Sequence, residues 1–160
     1  MSGTTGTTIQ IYKKFSHPSF LKYGFEPRIK ILTTVTKLGN RYTHDRLVAE
    51  LSFGFWIYMF APIQFFVGGQ SLHKIYENRP KGTSQKQIFK ELDEIRSLRN
   101  RIAHHEPLVF NSKDHLSTAQ TAKTYEIILK HTGWLGFNPS KIYHKLDNME
   151  ELLNQINAEK

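Results

Sequence analysis

Apolar residues recur along the chain at helical spacing, and no alternating strand pattern competes with them. A mixed aromatic and basic segment broken by prolines and glycines predicts a short helix at about residues 28–38. Thr43 then has the position of an N-cap for a helix that begins at His44. This helix is expected to run to about Phe60, or on to Phe66.

The apolar residues of this second helix surround its axis, which predicts a helix buried in the core. Because Leu51–Leu72 is uncharged over 22 residues, a membrane span with membrane-damaging activity is the alternative. Polar residues, a proline and glycines interrupt the stretch, namely Ser52, Pro62, Gln64, Gly68, Gly69 and Gln70. A core helix is therefore the prediction, and no membrane partner is expected.

Three further helices are predicted in the second half of the chain. Ser84 and Gln87 have the spacing of a capping box before a helix at about 85–104. Another pattern runs from about Leu116 to Lys130. Asn138 followed by proline then introduces an amphipathic last helix in which Ile142, Leu146, Met149, Leu153 and Ile156 share one face.

Together these patterns predict an all-α protein, a compact bundle of four to five helices. The first ten residues, rich in Gly and Thr, are interpreted as a flexible arm, and residues 11–160 as a single helical domain. The arm has neither the basic region nor the apolar region of a signal peptide, so a cytoplasmic location is expected. The sequence contains no cysteine, which excludes disulfides, thiolate nucleophiles and Cys-based metal sites.

The net charge of the chain indicates what kind of partner it binds. The formal net charge is +8, and residues 1–50 hold 8 Lys or Arg against 3 Asp or Glu, whereas residues 101–160 hold 7 of each. Such an excess suits an anionic partner such as RNA, since Lys and Arg that neutralise phosphates release counterions. A basic but merely solvated surface stays open as the alternative.

One cation interrupts the apolar stripe of the 85–104 helix. Ile88, Leu92, Ile95 and Ile102 follow the stripe, and Arg99 fills the position between the last two. A buried guanidinium without a partner would cost several kcal/mol, so Arg99 is expected to be paired, to reach solvent or to face a wet cleft. Its fixed fork of donors matches phosphate oxygens.

Two polar residues follow Arg99 at angles that one helix does not reconcile. At about 100° per residue, Asn100 lies roughly 100° and His104 roughly 140° round the axis from Arg99. Either the helix distorts near Ala103, or the long side chains converge in a groove, or two copies of the helix meet across a dimer.

The spacing Arg99-Asn100-x-x-x-His104 resembles the Arg-polar-x(3–5)-His signature of HEPN domains, a family of helical bundles that includes many endoribonucleases. The continuation through His105, Glu106 and Pro107, with the upstream segment 47–56, resembles Abi-like abortive-infection proteins in particular. The resemblance extends over about residues 43–110. It implies a homodimer with the two motifs at the interface.

The resemblance also implies a mechanism without metal or other cofactor. His104 would act as general base or acid on the ribose 2′-OH or the 5′-oxygen, since imidazole titrates near neutral pH. Arg99 would stabilise the charge on the phosphorus-centred transition state, and Asn100 would orient the histidine or the phosphate. The products would be a 2′,3′-cyclic phosphate and a 5′-OH. A toxin or phage-defence effector, with an antitoxin as a further partner, is the implied biological role.

Structural interpretations of the same residues stay open. Arg99 would then form an ion pair with a carboxylate such as Glu50 or Glu94, and His104 would interact with the dipole at the helix C-terminus. Arg96, Arg101 and His105 beside the motif are candidate RNA-binding residues, although Arg101 also suits a solvated face and His105 an ordered loop. A metal cluster of His104, His105 and Glu106 is disfavoured, because adjacent residues rarely point at one ion. A HEPN-like module that binds RNA or protein without cutting is the alternative function.

Overall fold

The computed structural model describes residues 27–110, 115–143 and 148–159, and all regular secondary structure in these ranges is helical. The predicted all-α class is therefore confirmed. The described residues form eight α-helices, more and shorter than the four to five predicted: α1 (Pro27–Leu38), α2 (His44–Glu50), α3 (Phe53–Tyr58), α4 (Pro62–Val67), α5 (Gln85–Ala103), α6 (Ala119–Trp134), α7 (Pro139–Tyr143) and α8 (Met149–Ala158).

The chain divides into two compact units between His73 and Lys74, and each unit is described by itself. The predicted arm at residues 1–10 lies outside the described residues. The single domain expected over residues 11–160 stays a prediction.

In the first unit, α1 and the start of α2 agree with the sequence. The helix expected at residues 28–38 begins one residue earlier, at Pro27. A 3-10 turn at Gly39–Arg41 follows. Thr43 is the N-cap of α2, and its hydroxyl accepts a hydrogen bond from the Arg46 backbone N–H at 3.2 Å. This cap satisfies one of the N–H groups that a helix start leaves without a partner.

The long helix predicted from His44 to Phe60 or Phe66 is wrong, because the structure has three short helices there. Leu51 leaves the helical region with ψ 129°, and the Ser52 hydroxyl caps α3 by accepting from the Phe55 N–H at 3.2 Å. Ala61 is also extended, and Pro62 opens α4 at a position where a missing N–H costs nothing. None of the helices in the described ranges is long and apolar enough to cross a membrane.

Breaking the segment lets several of its apolar side chains turn inward while others stay outside. Among the described residues of the first unit, five buried side chains form a core cluster, namely Ile31, Leu38, Leu47, Phe55 and Met59. Val48, Phe53 and Tyr58 are exposed. The expectation of a helix buried on every side is therefore wrong for these three residues.

The second unit has α5 and α6 as its two longest helices. The Ser84 hydroxyl caps α5 by accepting from the Gln87 N–H at 3.1 Å, as the capping-box spacing predicts. The Gln87 side chain does not complete the box, because its amide donates to Glu91 at 3.1 Å instead. Ile88, on the inner face of α5, is fully buried.

The helix predicted at 116–130 is displaced along the chain, since α6 begins at Ala119 and ends at Trp134. Its buried face consists of Thr121, Thr124, Ile127, His131 and Trp134. Asn138 caps α7 as predicted, with its side-chain oxygen 3.3 Å from the Lys141 N–H. The single last helix predicted from Asn138 to Ile156 is wrong, because Asn148 is not helical and precedes α8 as its N-cap. Leu146, one of the residues of that predicted helix, lies outside the described residues.

Candidate functional site

The Arg99–His104 motif occupies the last turn of α5, where the helix leaves the core. The buried positions of α5 are Ile88, Leu92 and Leu98. Arg99 is exposed and Ile102 is 54% exposed. The predicted apolar stripe is therefore wrong in its last turn, because the covered face turns towards Leu98. Arg99 reaches solvent, which is one of the three outcomes expected for its charge.

Within the motif the structure brings Arg99 and Asn100 together. An Arg99 Nη1 N–H donates to Asn100 Oδ1 at 3.4 Å, a long hydrogen bond between neighbouring residues. No hydrogen bond or ion pair joins Arg99 to the His104 side chain within this chain. The helix angles had predicted this divergence.

The two carboxylates offered as structural partners of Arg99 bind other cations. Glu50 Oε2 lies 2.7 Å from Lys37 Nζ, and Glu94 Oε2 lies 2.6 Å from Lys123 Nζ. Both pairs are formed inside their own unit. The guanidinium of Arg99 is thus not neutralised by either carboxylate.

Two of the candidate RNA-binding residues have partners in the fold. The Arg96 guanidinium contacts Asp93 one turn earlier, with Nη2 2.6 Å from Oδ1. Arg101 Nε lies 3.2 Å from Glu106 Oε2, and its Nη2 donates to the Pro107 carbonyl. Arg101 therefore fastens the segment after the motif to α5, which is a positioning role whether or not RNA also contacts it.

The histidines lie in the cap that ends α5. His104 is the C-cap, and His105 follows in the left-handed region with φ +56°. The His105 N–H donates to the Ile102 carbonyl at 3.0 Å and the Glu106 N–H to the Arg101 carbonyl at 2.9 Å. This pattern is a Schellman motif, in which glycine usually fills the left-handed position. A histidine there costs strain that a glycine would avoid.

No family model, curated protein or solved structure matches this chain. The HEPN and Abi-like assignment therefore stays a prediction that rests on the motif. In the part of the chain that the structure describes, no group of three or more His, Asp or Glu side chains is arranged to hold a metal ion.

A buried polar cluster between α5 and α6 was not predicted from the sequence. His131, 4% exposed, has Nε2 2.8 Å from Glu91 Oε2 and Nδ1 3.0 Å from the Tyr76 hydroxyl. Because a carboxylate only accepts, Nε2 carries the proton and Nδ1 accepts from the tyrosine. Lys130 Nζ lies 2.7 Å from Glu91 Oε1 and 5.1 Å from the centroid of the Trp134 ring.

The pKa values in this cluster follow from burial and from the carboxylate. Burial, and then the Glu91 charge, raise the pKa of Tyr76 to about 12. Burial also lowers the pKa of His131, although Glu91 acts in the opposite direction. Burial by itself would raise the pKa of Glu91, but hydrogen bonds from Lys130, Gln87 and His131 outweigh it and lower that pKa. Each shift favours a neutral histidine and tyrosine beside an ionised carboxylate.

The spacing of the buried face of α6 is the sequence signal that would have identified His131. Thr124, Ile127, His131 and Trp134 recur at intervals of three and four residues, so a histidine occupies a position of the apolar stripe. The partners gave no such signal, since Tyr76 is 55 positions away along the chain and Glu91 is 40.

Proposed function

We propose that this protein is a HEPN-type, metal-independent endoribonuclease, acting as a toxin or phage-defence effector. The observation that carries the proposal is the state of the motif: Arg99, Asn100 and His104 at the end of α5 are not buried, and they form no ion pair with any residue that the structure describes. An exposed arginine whose suggested carboxylate partners bind lysines elsewhere suits an anionic substrate.

In the proposed reaction a base takes the proton of the ribose 2′-OH, and the 2′-oxygen attacks the adjacent phosphorus. The bond to the 5′-oxygen breaks, and an acid gives that oxygen a proton, which yields a 2′,3′-cyclic phosphate and a 5′-OH. His104 supplies the base or the acid. Arg99 stabilises the charge that develops on the phosphate oxygens, and Asn100 orients His104 or the phosphate by hydrogen bonds.

The proposal includes a homodimer in which two motif helices meet. Ile102 supports it, because this residue continues the line of the buried Ile88 and Leu92 and is itself 54% exposed. A second α5 packed on Ile102 would cover it and would bring Arg99 of one chain to His104 of the other. Light scattering at several concentrations is expected to give a dimer for the wild type and a monomer for Ile102→Glu. Leu152→Glu, at another exposed aliphatic residue, is the control, and a dimeric Ile102→Glu variant would exclude this interface.

The test of the activity is cleavage of total RNA and tRNA in EDTA. His104→Ala and Arg99→Ala are each expected to lower the rate about 100-fold or more. Lys81→Ala, which removes an exposed cation of the same unit, should cleave as the wild type does. All three variants should unfold at the same denaturant concentration, since the replaced side chains are exposed. Growth arrest on expression that requires His104 would support the toxin role, and a protein that neutralises it would be the antitoxin.

A non-catalytic HEPN-like module is the second candidate. The observation that favours it is the lack of any hydrogen bond between Arg99 and His104 in one chain, together with the engagement of Asn100 by Arg99. A wild type that cuts no RNA while it binds RNA in a salt-dependent way would establish this alternative and end the enzyme proposal.

A further inference from the structure

The first unit contains a pocket at the corner between α1 and α2. Its volume is about 260 Å³, and its lining consists of Leu38, Arg41, Arg46, Ala49 and Glu50. The 3-10 turn contributes one arginine and α2 the other, so two guanidinium groups share one concave surface.

The arginine from α2 is oriented by the turn. Arg46 Nη1 donates to the Arg41 carbonyl at 3.0 Å, which ties the guanidinium to the backbone with one of its five N–H donors. The remaining donors of Arg46 make no hydrogen bond within the described ranges and are available to a ligand. The Arg41 guanidinium makes no hydrogen bond or ion pair with the described residues.

The single carboxylate of the lining does not cancel these charges. Lys37 Nζ lies 2.7 Å from Glu50 Oε2, and the hydrogen bond and charge of Lys37, followed by the charge of Arg41, lower the pKa of Glu50. One ionised carboxylate thus faces three cations, Lys37, Arg41 and Arg46, and the pocket keeps an excess of positive charge. The described part of this unit holds five Lys or Arg against two Asp or Glu, so the surroundings reinforce the positive potential.

We propose that the pocket formed by Arg41 and Arg46 is a phosphate-binding site that takes a phosphodiester group of an RNA strand. Two guanidinium forks match the oxygens of a phosphate better than point charges do, and one fork is already held in position. The phosphate chemistry follows from the two arginines alone. That the phosphate belongs to RNA rests on the proposed function.

The test measures the binding of a fluorescent single-stranded RNA to the His104→Ala protein, so that cleavage plays no part. Arg41→Gln with Arg46→Gln is compared with Lys30→Gln with Lys81→Gln, which removes the same charge from exposed positions outside the pocket. The arginine pair is expected to weaken binding about 10-fold and to lower the slope of log affinity against log salt by about 0.7, the share of one phosphate on a single strand. The lysine pair should stay within about 2-fold.

If the arginine and the lysine double variants lose the same RNA affinity, the proposed site is wrong, because the loss then reflects the total charge of the protein alone. Titration with inorganic phosphate separates the two sources of the ligand. If the arginine double variant no longer binds inorganic phosphate but keeps its affinity for RNA, the site binds free phosphate and the RNA assignment is wrong. Arg41→Lys with Arg46→Lys, which retains the charge without the fork, should recover part of the affinity and checks that loss of folding is not the cause.

The result is independent of catalysis. If the wild type does not cut RNA but the double substitution of Arg41 and Arg46 weakens RNA binding, the phosphate site is supported and the enzyme proposal is wrong. If the wild type cuts RNA but the double substitution leaves the RNA affinity unchanged, the enzyme proposal is supported and the phosphate site is wrong.

Discussion

Glu91 and Arg99 lie about two turns apart on α5, yet the charge of Glu91 is covered and paired whereas that of Arg99 is exposed. Glu91 is largely covered, with a side chain 12% exposed, and it accepts hydrogen bonds from Gln87, Lys130 and His131. Arg99 is exposed, and among the described residues its side chain hydrogen-bonds to its neighbour Asn100 and forms no ion pair. A charge that serves the fold has its partners in the fold. Arg99 and His104 at the end of α5 form no ion pair with the described residues, which leaves them accessible to a ligand, whereas their neighbours Arg96 and Arg101 are paired with Asp93 and Glu106.

The comparison is tested most strongly by removing each charge in turn. Glu91→Ala leaves Lys130 and His131 without the carboxylate that satisfies them, and breaking a largely buried pair in this way is expected to cost about 3 kcal/mol of unfolding free energy. Arg99→Ala should change it by less than about 0.5 kcal/mol, as exposed substitutions do. Urea denaturation of both variants measures the difference. Similar losses in the two variants would mean that the ends of α5 do not differ in this way.

A smaller effect is expected at the tyrosine of the buried cluster. Tyr76→Phe keeps the ring but removes the hydroxyl that donates to His131 Nδ1, which leaves a buried acceptor without a partner and costs about 1–3 kcal/mol. Because the hydroxyl acts on Glu91 through His131, the losses in Tyr76→Phe, Glu91→Ala and the double variant should not be additive. Additive losses would show that the three side chains do not form one network.

The sequence predicted those features of the fold that depend on a few neighbouring residues. The caps at Thr43, Ser84 and Asn138 were read correctly, since a cap is a contact between a side chain and a backbone N–H three residues on or nearer. The break at Ser52 uses the same chemistry. It was missed because a continuous apolar run on both sides favoured one helix.

Features that depend on tertiary packing were not predicted in the same way. Arg99 was placed on an apolar stripe extrapolated along α5, but which face of the last turn is covered depends on the neighbouring elements, and these cover Leu98. His131 finds Glu91 and Tyr76 on other elements of the second unit, so no local pattern identifies them as partners. Arg99 was singled out because a cation interrupts the apolar stripe, whereas the roles of Asn100 and His104 came from the resemblance.

A change of pH is expected to alter the unfolding free energy less than these substitutions do, since His131 stays in place and only a proton is added to it. Burial lowers the pKa of His131 in the folded state below its ordinary 6.5. Below pH 6.5, His131 binds a proton more readily in the unfolded chain than in the folded one, so the free energy of unfolding decreases as the pH falls. Glu91, whose folded pKa is also lowered, acts in the same direction only nearer its ordinary 4.5.

The check is the unfolding free energy from above pH 6.5 down towards pH 5, for the wild type and for His131→Gln. Glutamine does not titrate, so the variant should lack the part of the decline that belongs to His131. Parallel curves for the two proteins would contradict the assignment. Tyr76 supplies the opposite limit, because a pKa raised to about 12 predicts a loss of stability above the ordinary pKa of 10, and Tyr76→Phe should remove that loss.

The smallest effect is expected at the other end of the helix, where the comparison predicts a gain. His105 has φ +56°, so His105→Gly removes a strained Cβ and should stabilise the protein by about 0.5–1 kcal/mol. His105→Ala also removes the imidazole but keeps a Cβ, and it should bring no such gain. Gly136, with φ +87°, provides the converse, since Gly136→Ala should destabilise by about 1 kcal/mol.

The same pair of variants separates strain from function at His105. If the imidazole contacts RNA, the glycine and alanine variants should lose the same affinity although only the glycine variant gains stability. Thermal unfolding and RNA binding, measured on both, give the two quantities. A His105→Gly variant that is less stable than the wild type would show that the imidazole contributes to the fold. The motif end of α5 would then be held by its own side chains, as the Glu91 end is, and the contrast between the two ends would disappear.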